Sequence, residues 1–155
     1  MLRRRIRSPL RLGDNVTIEV REAATGRLLS RQTAHNLVTL AGRNLLRDAL
    51  RGAGGPYILT HIAVGEGTTA PAFGDIALQS ECYRASVTKV VADNGKLTLH
   101  LYIPSTAANG FNLAEAGIFT SSVGGTLFAR VTFAPIAKSA NISMALVWEL
   151  TLSAG

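Results

Sequence analysis

The sequence predicts a mainly β domain, an antiparallel sandwich or barrel-like fold with one packed amphipathic α-helix over about residues 39–51. Three observations carry this. Apolar and polar residues alternate with a period of two through most of the chain. Turn-forming dipeptides interrupt these runs. A single stretch switches to the helical period of 3.6.

The first segment, "MLRRRIRSPLRLGDN", is basic and carries Arg3, Arg4, Arg5, Arg7 and Arg11, five of the 16 Lys and Arg residues. Outside it the charges nearly balance, although the whole chain has a formal charge of +6. The reading is therefore a cationic arm over residues 1–13, joined to a single nearly neutral β-rich domain over residues 14–155. Such an arm attracts an acidic protein surface or a nucleic acid equally well, because its field is blind to the partner's chemistry.

From Asn15, Val16, Ile18 and Val20 alternate with Thr17, Glu19 and Arg21, and "ATG" at Ala24–Gly26 breaks the run before a second extended stretch, which reads as a hairpin. In "TLAGRNLLRDALRGAGG", Gly42, Leu45, Leu46, Ala49 and Leu50 share one helical face. Thr39 is the expected N-cap and Gly52 the stop, and this face is expected to lie on a sheet. "YILTHIAV" reads as a strand. "YRASVTKVVADNGKLTLHLYI" reads as two strands around Asn94-Gly95, with Leu97, Leu99, Leu101 and Ile103 on one face. "AGIFTSSVGGTLFARVTFAP" repeats the plan around Gly124-Gly125. "NISMALVWELTLS" is the most strongly patterned strand, and residues 68–80 read as a loop with a short helical turn. About eight strands and one helix result.

Composition sets the functional bounds. A chain of 155 residues hides roughly 70% of its extended surface on folding. With 47% hydrophobic and 17% charged residues it has the means to form a packed core. The single cysteine, Cys82, permits no internal disulfide and reads as a buried small thiol. No apolar run reaches the roughly 18 residues that span a bilayer, and no secretory signal is present, so synthesis and folding in the cytoplasm are expected.

Several motifs are weighed and set aside. Gly65, Gly67 and Ala70 in "HIAVGEGTTAP" formally satisfy the dinucleotide fingerprint G-x-G-x-x-A. Pro71 and Gly74 follow where the phosphate-binding helix must start, so a tight sheet corner is the reading. Ser86 and Lys89 match S-x-x-K, but on a strand residues three apart face opposite ways. His35, His61 and His100 lack metal-site spacing. Glu81 and Glu115 become a carboxylate pair only if folding joins them. Tyr57, Tyr83 and Tyr102 are too dispersed for a base-stacking platform. No catalytic residue, cofactor site or metal site is assigned, and the chain is read as non-enzymatic.

The order "AGRNLLRDAL", "LTHIAVGEGTTAP", "DIAL", "YRASV", "NGFNLAEAGIF" and "GTLFARVTF", spanning about residues 36–133, resembles the N-terminal attachment module of tailed-bacteriophage tail-fibre proteins and related small virion proteins. The resemblance implies a structural virion component that docks to other virion proteins as a homo-oligomer, with a trimer favoured. A tail fibre continues into a shaft, whereas this sequence ends at Gly155 after a strand. The expectation is thus an adaptor of the tail, baseplate or fibre attachment site, with a capsid decoration protein as the alternative and a nucleic-acid binder using the arm as a remoter one. Localisation in the virion, assembled in the host cytoplasm, goes with this reading. Arg3, Arg4, Arg5, Arg7 and Arg11 are the candidate partner-binding residues, since Arg pairs bidentately with carboxylates.

Overall fold

Period-two patterning must bury one face of each strand, and the chain does so by stacking two sheets. The computed structural model describes residues 10–154. The first sheet contains β1 (Leu10–Glu22), β2 (Leu28–Ala34), β6 (Lys89–Asp93), β7 (Lys96–Ile103) and β10 (Ile142–Ala154), in the order β2-β1-β10-β7-β6. The second contains β3 (Leu37–Val38), β4 (His61–Gly65), β5 (Glu81–Ser86), β8 (Asn112–Phe119) and β9 (Leu127–Ala137), in the order β3-β9-β8-β4-β5. All neighbours pair antiparallel. The fold is a β-sandwich with one helix, α1 (Leu40–Leu50).

The core lies between the sheets. Val16, Ile18, Leu99, Leu101, Leu146 and Trp148 of the first sheet meet Ile62, Val64, Leu113, Ile118, Phe128 and Val131 of the second. These first-sheet residues occupy alternate positions, and the register aligns them across strands: Val16 lies opposite Trp148, which lies opposite Leu99 on its other side. Alternation in β1, β7 and β10 thus converts directly into one buried wall.

The Ala24–Gly26 turn, the Gly124-Gly125 turn and the Asn94-Gly95 hairpin fall where the sequence places them. Asn94 and Gly95 have φ of 43° and 73°, the left-handed pair that a two-residue turn demands. Thr39 caps α1 by accepting from the Gly42 amide at 3.0 Å, while its hydroxyl donates to the Leu127 carbonyl at 2.6 Å and so ties the helix start to β9. Gly42 is buried against β9 so closely that a Cβ there would collide with the Phe128 carbonyl, which is why the position takes glycine.

Four expectations are corrected. The run from Tyr83 to Asp93 is not one strand, because the chain passes from the second sheet to the first between adjacent residues: the Val87 amide bonds the Thr60 carbonyl at 2.9 Å and the Thr88 amide bonds the His100 carbonyl at 2.8 Å. Among the described residues there are ten strands rather than about eight. In "YILTHIAV" the strand begins only at His61, whose partner Phe119 ends β8; Thr60 still bonds the Phe119 carbonyl through its amide at 3.0 Å, and Tyr57–Leu59 before it lie outside the ladder. Residues 68–80 form a turn rather than a helical turn, closed by the Asp75 amide on the Ala72 carbonyl and the Ala72 amide on Asp75. The apolar stripe of α1 is only half covered: Leu45 packs on the core, whereas Leu46 and Leu50 stay exposed.

Candidate functional site

Two places on the sandwich combine unusual chemistry with a built environment. The first is the glycine corner. After Asn112, strand β8 is apolar except for Glu115, and β9 is apolar around Arg130; burying either charge alone would cost several kcal/mol. They are buried together. Glu115 is fully buried and Arg130 is 3% exposed, and Arg130 Nε and Nη2 reach Glu115 Oε2 at 3.0 and 2.9 Å. Arg130 also donates to Asp75 Oδ2 at 3.0 Å and to the Thr69 carbonyl at 2.9 Å.

The remaining acceptor capacity of Glu115 is filled by backbone. It accepts from the amides of Gly67 at 3.0 Å, Ser80 at 2.7 Å and Gln79 at 3.0 Å. The "VGEG" corner therefore does hold an anion, and that anion is the chain's own carboxylate. A Cβ on Gly67 would come within 2.5 Å of Glu115 Oε1, and one on Gly65 would strike the Ser80 carbonyl and lie 2.7 Å from Glu115 Oε1. The glycines are required by close approach to this glutamate, not by a bound nucleotide. Glu115 and Glu81 flank Gly65 on either side of β4, but Glu81 turns away to pair with Arg84 at 2.6 Å, so no carboxylate pair forms.

The second place is an apolar groove of about 650 Å³ between α1, the Tyr57–Leu59 segment and the β6–β7 hairpin. Its walls include Leu46, Ile58, Val90, Leu97 and Leu152. Ile58 is 74% exposed and Val90 58%. The groove lies between α1, which packs on β9 of the second sheet, and the inner face of the first sheet at its β6–β7 end. The sequence places Leu46 on an apolar helix face and Leu97 and Leu152 on apolar strand faces, and periodicity marks such a face but not what covers it.

The other candidates are dispersed. Arg11 lies on the outward face of β1, opposite Ser153, while Arg3, Arg4, Arg5 and Arg7 lie outside the described residues. Leu10–Gly13, read as part of the arm, belong to β1. His61 and His100 lie on strands, as read. Both ring nitrogens of His61 are engaged by hydroxyls, Nδ1 by Thr60 at 2.7 Å and Nε2 by Ser86 at 3.2 Å. Ser86 and Lys89 end up in different sheets. Cys82 is half-buried rather than buried, and burial, reinforced by Glu66, Glu115 and Glu81, pushes its thiol up to about 11, where it stays protonated and poorly nucleophilic.

Lys138, 2% exposed, is an unexpected buried charge with neutral partners, donating to Asn109 Oδ1 at 2.8 Å and the Ser139 carbonyl at 3.1 Å. Burial holds its ammonium below the usual lysine range. It anchors the 104–111 loop, whose Gly110 amide bonds the Lys138 carbonyl. Among the described residues no group of three or more His, Cys, Asp and Glu is placed to hold a metal, and no helix is long and apolar enough to cross a membrane. No family model, curated protein or solved structure matches the chain.

Proposed function

We propose that this chain is a non-enzymatic structural protein of a tailed-bacteriophage virion, a docking module of the tail, baseplate or fibre attachment site that acts as a homo-oligomer. One observation supports the reading most: the separate sequence pieces that carry the resemblance meet in a single mechanical unit. Gly42 of "AGRNLL" packs on Phe128, Gly67 of "AVGEG" bonds Glu115 of "LAEAGIF", and Arg130 of "GTLFARVTF" closes on that same glutamate. Pieces scattered over about a hundred residues of sequence thus meet on β8 and β9, where Gly42 seats α1 and the Gly67–Glu115–Arg130 contacts fix the loop over residues 66–80. A rigid body offering an apolar groove suits a part whose work is to be held by neighbours, because weak contacts repeated by symmetry add to strong attachment.

The test is to locate the protein in purified particles and to replace Arg3, Arg4, Arg5 and Arg7 together with Gln. Reduced occupancy in particles is expected, with the body still folded. Unchanged occupancy would exclude the arm as a tether, and absence from particles would exclude the virion role. Truncation must stop before Leu10, since that residue opens β1 and pairs with the end of β10. The cationic segment favours one other reading, nucleic-acid binding, which predicts steeply salt-dependent association with duplex DNA. Capsid decoration is the remaining structural alternative, and the position of the protein within the particle separates it from a tail role.

A further inference from the structure

The first sheet ends in an open edge, β6, and its sequence Lys89-Val90-Val91-Ala92-Asp93 is complementary to itself. We infer that two copies of this chain pair antiparallel through β6 about a dyad at Val91, joining their first sheets into one.

The backbone permits this pairing. Asp93 and Lys96 flank the two-residue turn, so they exchange both ladder bonds, and alternation then turns the amide and carbonyl of Val91 toward Thr98 of β7. The amides and carbonyls of Val90 and Ala92 consequently point out from the edge. With the dyad at Val91, Val90 lies opposite Ala92 of the second copy, and these outward groups bond each other in pairs.

The side chains agree. Lys89 lies opposite Asp93 of the second copy, twice by symmetry, and Val91 lies against its own counterpart. All five residues of β6 are exposed, and neither Lys89 nor Asp93 has an ion-pair partner among the described residues. Val90 and Ala92 face the groove, so the seam brings the two grooves together on one face of the joined sheet. An unpaired edge with no proline, no inward charge and two exposed valines is a liability unless something covers it.

Among the described residues no other edge offers the same match. A dyad at the centre of β2 sets Arg31 against itself, β3 has two residues, and β5 uses its charges within the strand in the Glu81–Arg84 pair. The occupant favoured by charge and register is therefore a second copy.

A dyad closes at two copies, which departs from the threefold symmetry that the resemblance implies. The pairing is read on the isolated chain and does not depend on the virion reading. Sedimentation equilibrium of the full chain at low salt should give twice the chain mass. Lys89→Asp and Asp93→Lys each set like charges opposite at both ends of the seam, and each should weaken self-association about tenfold. The double variant K89D/D93K restores opposite charges and should recover association to within about threefold. Mixing the two single variants should give a heterodimer in preference to either homodimer. Val90→Pro, which removes only an outward amide, should also dissociate the pair while leaving the thermal unfolding transition of the monomer in place. A chain that stays monomeric at high concentration, or a dimer or trimer that neither single variant weakens, overturns the proposal.

Discussion

The two sheets of this sandwich are organised by different physics. In the first, the β1–β10 and β10–β7 ladders run without a register shift and the one irregularity is at Val20/Arg21 beside the edge strand β2; the inner faces are apolar over the central residues, and the ion pairs lie on the outer surface, as in Arg21–Glu19–Arg31 and Lys96–Glu149. The second sheet is shorter-stranded and interrupted by bulges at Val64/Gly65, Leu113/Glu115 and Ile118/Phe119. It is pinned by an ion pair inside the protein. At the Leu113/Glu115 irregularity β9 leaves Phe133–Pro135 without a ladder partner, and Gln32 of β2 takes the Ala134 amide and carbonyl at 3.0 and 3.1 Å, clasping one sheet to the other. The lesson is that a repetitive apolar pattern can define a sheet without any special residue, while an irregular sheet needs specific polar contacts to fix each departure.

That comparison predicts unequal costs for removing a glutamate from each sheet. Glu115→Ala leaves Arg130 buried without its main counter-charge and three amides without an acceptor, so a loss of about 4 kcal/mol is expected in denaturant unfolding. If the midpoint moved no more than for a surface variant, the buried pair would not be what holds the second sheet.

The glycines sharpen the contrast. Gly67→Ala forces a methyl against Glu115 and Gln79 and should cost about 2 kcal/mol. In the first sheet Gly13 has nothing closer than the Thr151 carbonyl at 3.9 Å, and Gly13→Ala should raise stability by about 0.5 kcal/mol. Thermal melts of the two variants should therefore shift in opposite directions.

Asp14 is a polar exception on the inner register of the first sheet, beside Leu12 and Val16. Burial pushes its carboxyl up from 3.8 to about 6. The folded chain holds this proton more tightly than the unfolded chain, so the associated stability is present at pH 4 and is lost as the pH rises through 6. Asp14→Asn should consequently gain about 1 kcal/mol at pH 8, discounted for the partial exposure of the carboxyl, and nothing at pH 4. Equal effects at both pH values would sink this account.

An effect as small as that of Gly13 belongs to the outer face. Glu19 is held below the usual carboxylate range by hydrogen bonds from Arg31 and then Arg21, so its contribution has the opposite sign and is lost as the pH falls through its lowered value. Because both arginines are exposed, Glu19→Gln should cost only about 0.5 kcal/mol in the same unfolding assay at pH 7.

Much of this architecture was legible from residue order. The alternation in Leu97–Ile103 and Ile142–Leu150 and the turn at Asn94-Gly95 are local properties, and local backbone preference decides them. The helix with its Thr39 cap and Gly52 stop belongs to the same class, since capping acts within one turn. The signal for the buried knot was also present, since Glu115 and Arg130 each interrupt an apolar strand and two such charges are expected to meet. What the sequence left open was the identity of the third and fourth partners, Asp75 and Thr69, which lie far away in a loop.

Sequence by itself determined that this chain forms antiparallel sheets with one amphipathic helix, because side-chain period and turn chemistry are set within a few residues. Only the tertiary structure decided that the chain changes sheets between Val87 and Thr88, that the glycine corner encloses Glu115, and that half of the helix's apolar stripe opens into a groove beside an unpaired edge. Those outcomes depend on which distant surfaces cover one another, and a pattern of apolar residues specifies that a face must be covered without specifying by what.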